Sequence, residues 1–183
     1  MPLTSNEAAQ TLRDITQTER RSAKAYGYNT ASPHLMLWGV IWMIGYGIDY
    51  ARPQWSAVWV PLVVIGSVGS FWIGWRMRLG TARRSDWRHG ATALAVVLFV
   101  SALFALIPPR TGLQAAAFFP LLVALFYALI GIWLKAPRML MLGAAVAALT
   151  LFGFFELPAL FAIWMAVVGG GGLLLGGVWL RNV

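Results

Sequence analysis

The chain has no cysteine, few acidic residues and no charged side chain inside its long apolar runs. The absence of cysteine excludes disulfide frameworks, thiolate metal sites and cysteine nucleophiles. Phosphate-binding glycine loops, serine-nucleophile elbows and paired-histidine zinc motifs are absent from the sequence as well. We therefore expect a protein that is not an enzyme and that holds no cofactor.

What the chain has instead is apolar sequence, which makes up 60% of its 183 residues. A soluble core of this size cannot bury that much apolar surface, because small globules have a high surface fraction. The apolar residues form six charge-free runs, and runs of about 20 residues are typical of spanning helices. We predict an all-α membrane protein with six transmembrane helices near His34–Tyr50, Trp55–Trp75, Gly90–Pro108, Leu113–Leu134, Met139–Phe155 and Leu157–Leu180.

Short turn sequences separate the members of each successive pair of runs. They are Asp49–Pro53, Pro108–Gly112 and Glu156–Pro158, and each combines proline with a charged residue. Proline and charge favour chain reversal. We therefore expect the six helices to form three tight hairpins with no domain on the side where these turns lie.

The first 33 residues are polar and differ from the rest of the chain. Thr4 and Glu7 have the spacing of a capping box, which predicts that a helix begins here. We expect a weakly amphipathic cytoplasmic helix that Tyr26–Pro33 interrupts before the membrane. The predicted division is residues 1–33 as this helix and a linker, and residues 34–183 as the transmembrane domain.

Basic residues set the predicted orientation. The formal net charge is +8, and most lysines and arginines lie before the first run, between the second and third, between the fourth and fifth, and after the sixth. Short loops rich in these residues stay in the cytoplasm. We therefore expect a protein of the bacterial inner-membrane type with both termini in the cytoplasm. This explains the basic charge without nucleic acid, which we do not expect as a partner.

The cytoplasmic face is the predicted site of interaction with a protein partner. Basic residues alone are enough to set the orientation of the protein in the membrane, and a capped helix is not needed for it. We therefore expect this helix to pack on the bilayer, the bundle or another protein. The leading hypothesis is a non-enzymatic regulatory or interaction subunit. The alternative is a small oligomeric transporter or channel for a neutral or lipid-like solute. The residues expected to bind the partner are Arg13, Arg20, Arg21, Arg83 and Arg84.

Small residues at four-residue spacing are the strongest feature within the apolar runs. They let helix backbones approach closely, so we predict helix packing there. A homo-oligomer face is the other interpretation of the same residues. The predicted packing residues are Gly66, Ser70, Gly74, Gly172 and Gly176.

Four ionisable residues lie at the ends of predicted spans. His34 and His89 occupy similar inner positions and are weak candidates for haem or metal ligands, but two ligands are fewer than a structural metal site needs. Asp49 and Glu156 lie at the outer ends. We interpret them as hydrated turn residues, with an outward-facing cation site as the alternative.

Overall fold

A computed structural model describes the backbone of residues 5–78 and 87–181, and side chains of residues 10, 28–77, 90–92 and 94–181. Every regular element in these ranges is helical. The α-helices are α1 (Ser5–Ala51), α2 (Trp59–Arg78), α3 (Trp87–Leu106), α4 (Gly112–Trp133), α5 (Pro137–Glu156), α6 (Phe161–Trp164) and α7 (Gly171–Arg181). A π-helical segment, Met165–Gly170, joins α6 to α7, and we call residues 161–181 the last helix.

Four helices of the described residues are long and apolar enough to cross a membrane. They are Pro53–Met77, Gly112–Trp133, Pro137–Glu156 and Pro158–Arg181. The helix Gly90–Leu106 is also apolar but shorter. The prediction of an all-helical membrane protein is therefore confirmed as to helix class and the presence of helices that could span a membrane.

The first helix differs from the prediction. α1 is one helix of 47 residues, which at ~1.5 Å per residue is about 70 Å, more than twice the thickness of a bilayer's hydrocarbon core. The expected break at Tyr26–Pro33 is wrong, because these residues continue the helix. Pro33 removes one backbone donor, but the buried neighbours Tyr28, Ser32 and Leu35 hold this segment in place. Packing in a bundle makes such a proline tolerable.

The turns before α2 and α4 are short, and the turn before α4 has local side-chain hydrogen bonds. Thr111 caps α4, its side chain accepting a bond from the backbone N–H of Gln114 at 3.2 Å. Gln114 Oε1 in turn accepts from the N–H of Arg110 at 2.8 Å. A six-residue 3₁₀ turn, Pro53–Val58, leads into α2. Both of these connections therefore fit a direct reversal of the chain.

The connection between α4 and α5 has a lysine in the left-handed region. Lys135 has a φ of 50°, where glycine is usual. The N–H of Ala136 donates to the carbonyl of Gly131 at 2.8 Å, and that of Lys135 donates to Ile132 at 3.2 Å. These two bonds are those of a Schellman motif, which satisfies the carbonyls at the end of α4.

The helices form two packed groups. α1 lies between α2 and the last helix, and α4 packs on α5; each of these pairs runs antiparallel. The groups meet mainly where α5 contacts the last helix. α3 lies at the periphery, and none of its described side chains is buried. We call the end with Arg76, Lys135, Arg138 and Arg181 the basic end, and the opposite end the turn end.

Candidate functional site

The seam between α1 and the last helix, the α1 seam, is built on direct backbone contact. A Cβ added to Gly39 would lie 2.9 Å from the carbonyl oxygen of Gly170, and one added to Gly170 would lie 2.8 Å from that of Gly39. The buried hydroxyl of Ser32 donates to the carbonyl of Gly177 at 2.8 Å. Only glycine allows helices this close, so the seam fixes α1 to the last helix.

Three of the five predicted packing residues lie in helix contacts. Gly66 faces Ile41 of α1, where an added Cβ would meet Ile41 Cδ1 at 2.7 Å. Ser70 accepts a hydrogen bond from Trp38 Nε1 at 3.1 Å. Gly176 lies against Leu142 of α5, 2.8 Å from an added Cβ.

Gly74 and Gly172 differ from the other three, because an added Cβ would meet nothing within 4 Å. Other glycines lie closer than 3.0 Å, by an added Cβ, to the backbone of a neighbouring helix. They are Gly39 and Gly170 on the α1 seam, and Gly131 and Gly143 on the α4–α5 pair. Gly39 and Gly131 are isolated in sequence, so spacing alone gives no signal for them.

A cavity of about 50 Å³ lies between α5 and the last helix, in what we call the α5 seam. Its lining is apolar: Leu142, Ala145, Val146, Leu149, Met165, Val168, Gly169 and Gly172. It lies beside the π-helical segment, whose wider turn is a feature often found at functional sites. Ala145 is exposed, so the cavity borders the bundle's surface.

Contacts near both ends of this cavity close the α5 seam. Toward the turn end, Trp164 Nε1 donates to the carbonyl of Leu149 at 2.9 Å. Toward the basic end, a guanidinium nitrogen of Arg138 donates to the carbonyl of Trp179 at 3.3 Å. The same guanidinium lies 4.9 Å from the Trp179 ring centroid. α5 and the last helix are thus in contact on either side of the cavity.

Aromatic residues form a cluster at the turn end. Tyr46 is 2% exposed and makes edge-to-face contacts with Trp42, Trp59 and Phe161. Its hydroxyl donates to the carbonyl of Ala116 in α4 at 2.6 Å. Tyr46 therefore ties α1 to the second packed group.

Asp49 lies beside this cluster and is hydrogen-bonded to an aromatic side chain. Its Oδ2 accepts a hydrogen bond from Trp59 Nε1 at 2.6 Å. Its Oδ1 is buried and accepts none from the described residues. The nearby Arg52 guanidinium lies 5.7 Å from the Trp55 ring centroid. Asp49 thus pins the start of α2 to the end of α1, while Glu156 is exposed.

The predicted partner-binding arginines are only partly located. Arg13, Arg20 and Arg21 lie on the N-terminal half of α1, but their side chains are outside the described part. Arg83 and Arg84 lie wholly outside the described residues.

Only one of the two candidate histidine ligands has a described side chain. His34 is half-buried on α1, while the side chain of His89 lies outside the described part. The described residues contain no group of three or more histidines and acids that would hold a metal ion.

Comparison with protein families, curated proteins and solved structures gives no match to this chain.

Proposed function

We propose that the chain crosses the inner membrane six times as three hairpins, with both termini in the cytoplasm. The basic ends of α2 and α4 support this count. If α2 and α4 crossed without α3 between them, Arg76 and Lys135 would lie on opposite sides of the membrane. With α3 as a span, both lie on one side, as the positive-inside rule favours. The same parity argument makes the apolar half of α1 the first span.

We propose that the protein is a non-enzymatic regulatory or interaction subunit that binds a protein partner at its cytoplasmic face. The observation that carries this proposal is the continuity of α1 from Ser5 to Ala51. A topology signal needs no helix of that length outside the bilayer. About 23 residues precede Tyr28, and at ~1.5 Å each they extend about 35 Å beyond the packed segment.

The segment of α1 that follows this extension is packed in the bundle. Tyr28, Ser32 and Leu35 are all buried at 5% exposure or less. A partner that moves the extension would therefore act directly on the α1 seam, at the contact of Ser32 with Gly177. This coupling distinguishes a regulatory element from a flexible tether.

The first experiment is gentle purification of the full chain, with quantitative mass spectrometry of proteins that co-purify. The triple variant Arg13→Gln, Arg20→Gln, Arg21→Gln should lose a stoichiometric partner. The matched control, Arg52→Gln with Arg110→Gln, removes basic charge from the turn end and should keep it. A partner-free oligomer from the unaltered chain would contradict the proposal.

One observation favours the alternative, an oligomeric transporter or channel for a neutral or lipid-like solute. The cavity in the α5 seam lies beside the π-helical segment. Gly172, at the start of α7, lines this cavity and has open space around it. On this alternative, Gly172→Leu should abolish flux while removal of residues 1–25 is tolerated. Gly171→Leu is the control, since Gly171 also has open space but does not line the cavity.

A further inference from the structure

Two cationic side chains lie at the basic end of the α5 seam. Arg138 lies in the first turn of α5, and Lys135 lies in the turn before this helix. Arg138 is held in place by its ring contact and by its bond to the carbonyl of Trp179. That bond uses one guanidinium nitrogen, so most of its N–H donors remain available to an anion.

No described acid balances this charge. The acids with described side chains, Asp49 and Glu156, both lie at the turn end. Lys135 is exposed. Its backbone lies in the left-handed region, where glycine is usual.

Apolar residues follow Arg138 on the same helix faces of this seam, and we call them the apolar path. On α5, Arg138 shares a face with Ala145 and Leu149, at seven- and eleven-residue spacing. On the last helix, Trp179 shares a face with Gly172 and Val168 by the same spacing. The path ends in the cavity, roughly 10 Å from Arg138 by the ~1.5 Å rise of seven residues.

We propose that the α5 seam binds one anionic phospholipid of the surrounding bilayer. Its phosphate is bound by Arg138, assisted by Lys135, and one acyl chain lies along the apolar path into the cavity. Basic pockets between spanning helices suit anionic headgroups. The cations of this seam suit the anionic headgroup of such a lipid, and the apolar cavity in the same seam suits its acyl chain. This inference is independent of the proposed protein partner.

The test is lipid binding to the full chain purified in neutral detergent. The probes are phosphatidylglycerol and phosphatidylcholine with identical acyl chains, followed by native mass spectrometry and by the shift in unfolding temperature. We expect one phosphatidylglycerol to remain bound, with an affinity about tenfold or more above that for phosphatidylcholine. Equal affinity for both lipids would overturn the proposal.

Four variants separate the headgroup from the acyl chain. Arg138→Gln and Lys135→Gly should each weaken phosphatidylglycerol binding, and Lys135→Gly leaves the turn geometry favourable. Arg110→Gln, at the turn end, should bind as the unaltered chain does. Gly172→Leu fills the cavity and should weaken binding of both lipids.

Two results with these variants would refute the assignment. Equal losses of phosphatidylglycerol binding in Arg138→Gln and Arg110→Gln would show that surface charge in general attracts the lipid and that the α5 seam is not a specific site. Unchanged binding in Gly172→Leu, with Gly171→Leu as its control, would remove the acyl chain from the cavity. Lys135→Gly, at an exposed turn, keeps the headgroup assignment testable if Arg138→Gln does not fold.

Discussion

Replacing Gly39 by alanine tests whether direct backbone contact holds α1 to the last helix. The added Cβ would lie 2.9 Å from the Gly170 carbonyl oxygen and 3.0 Å from the backbone nitrogen of Leu174. Ordinary carbon contacts are about 3.5–4.0 Å, so the helices must separate by roughly 0.5–1 Å. Neither contact is with a side chain that can rotate away. Overpacking of this kind costs about 1–3 kcal/mol.

Gly47→Ala is the matched control on the same helix. An added Cβ at Gly47 meets no atom within 4 Å. Alanine gains about 0.5–1 kcal/mol over glycine at both positions, because both lie within α1. The two variants should therefore differ by the overpacking cost alone, about 1–3 kcal/mol in free energy of unfolding.

The assay is unfolding in mixed micelles of rising denaturing-detergent content, followed by tryptophan fluorescence. Trp42 and Trp59 lie in or against the core and report loss of packing. If Gly39→Ala proves as stable as Gly47→Ala, the α1 seam does not depend on close backbone approach, and the reasoning is refuted.

Three further predictions concern single contacts. Ser32→Ala should lower the free energy of unfolding by about 1 kcal/mol, because it removes the bond to the Gly177 carbonyl. Trp59→Phe should cost about 1–3 kcal/mol, because it leaves Asp49 without its donor. Lys135→Gly should raise stability by about 1 kcal/mol, because it relieves a left-handed backbone at a non-glycine residue. All three are measured by the same unfolding titration.

Each of these has its own control. Ser101 is exposed on α3, so Ser101→Ala should leave stability unchanged. For Trp59, a double-mutant cycle with Asp49→Ala separates the hydrogen bond from the ring's packing, and additive losses would contradict the assigned bond. Lys135→Asn should retain part of the gain, because asparagine tolerates the left-handed region, whereas a loss of stability in Lys135→Gly would argue against a strained turn.

The sequence predicts helix class and membrane character well, because both follow from long apolar runs. It also predicts the regions of the turns, since Thr111 and the prolines carry local signals. It fails at Tyr26–Pro33, where a proline and polar residues indicate a break. There the helix is maintained by tertiary contacts that local propensity does not contain, chiefly those of Ser32 and Leu35 with the rest of the bundle.

The seams show a similar limit. Gly66 and Gly176 contact neighbouring helices as spacing predicts, but Gly172 faces a cavity. The tertiary structure determines which face of a glycine-rich helix contacts a neighbouring helix. The Gly39–Gly170 contact joins residues far apart in the chain, so no local pattern identifies it.

The central claim is that the chain crosses the membrane six times with its basic end in the cytoplasm. Because the chain has no cysteine, single cysteines can be labelled without background. Cysteines at Ser56, Thr111 and Ala159 should react with an impermeant maleimide in intact cells. Those at Gln10 and Arg181 should react only after permeabilisation. Labelling of Ser56 and Thr111 from opposite sides would remove α3 as a span, and labelling of Gln10 and Ser56 from the same side would remove α1.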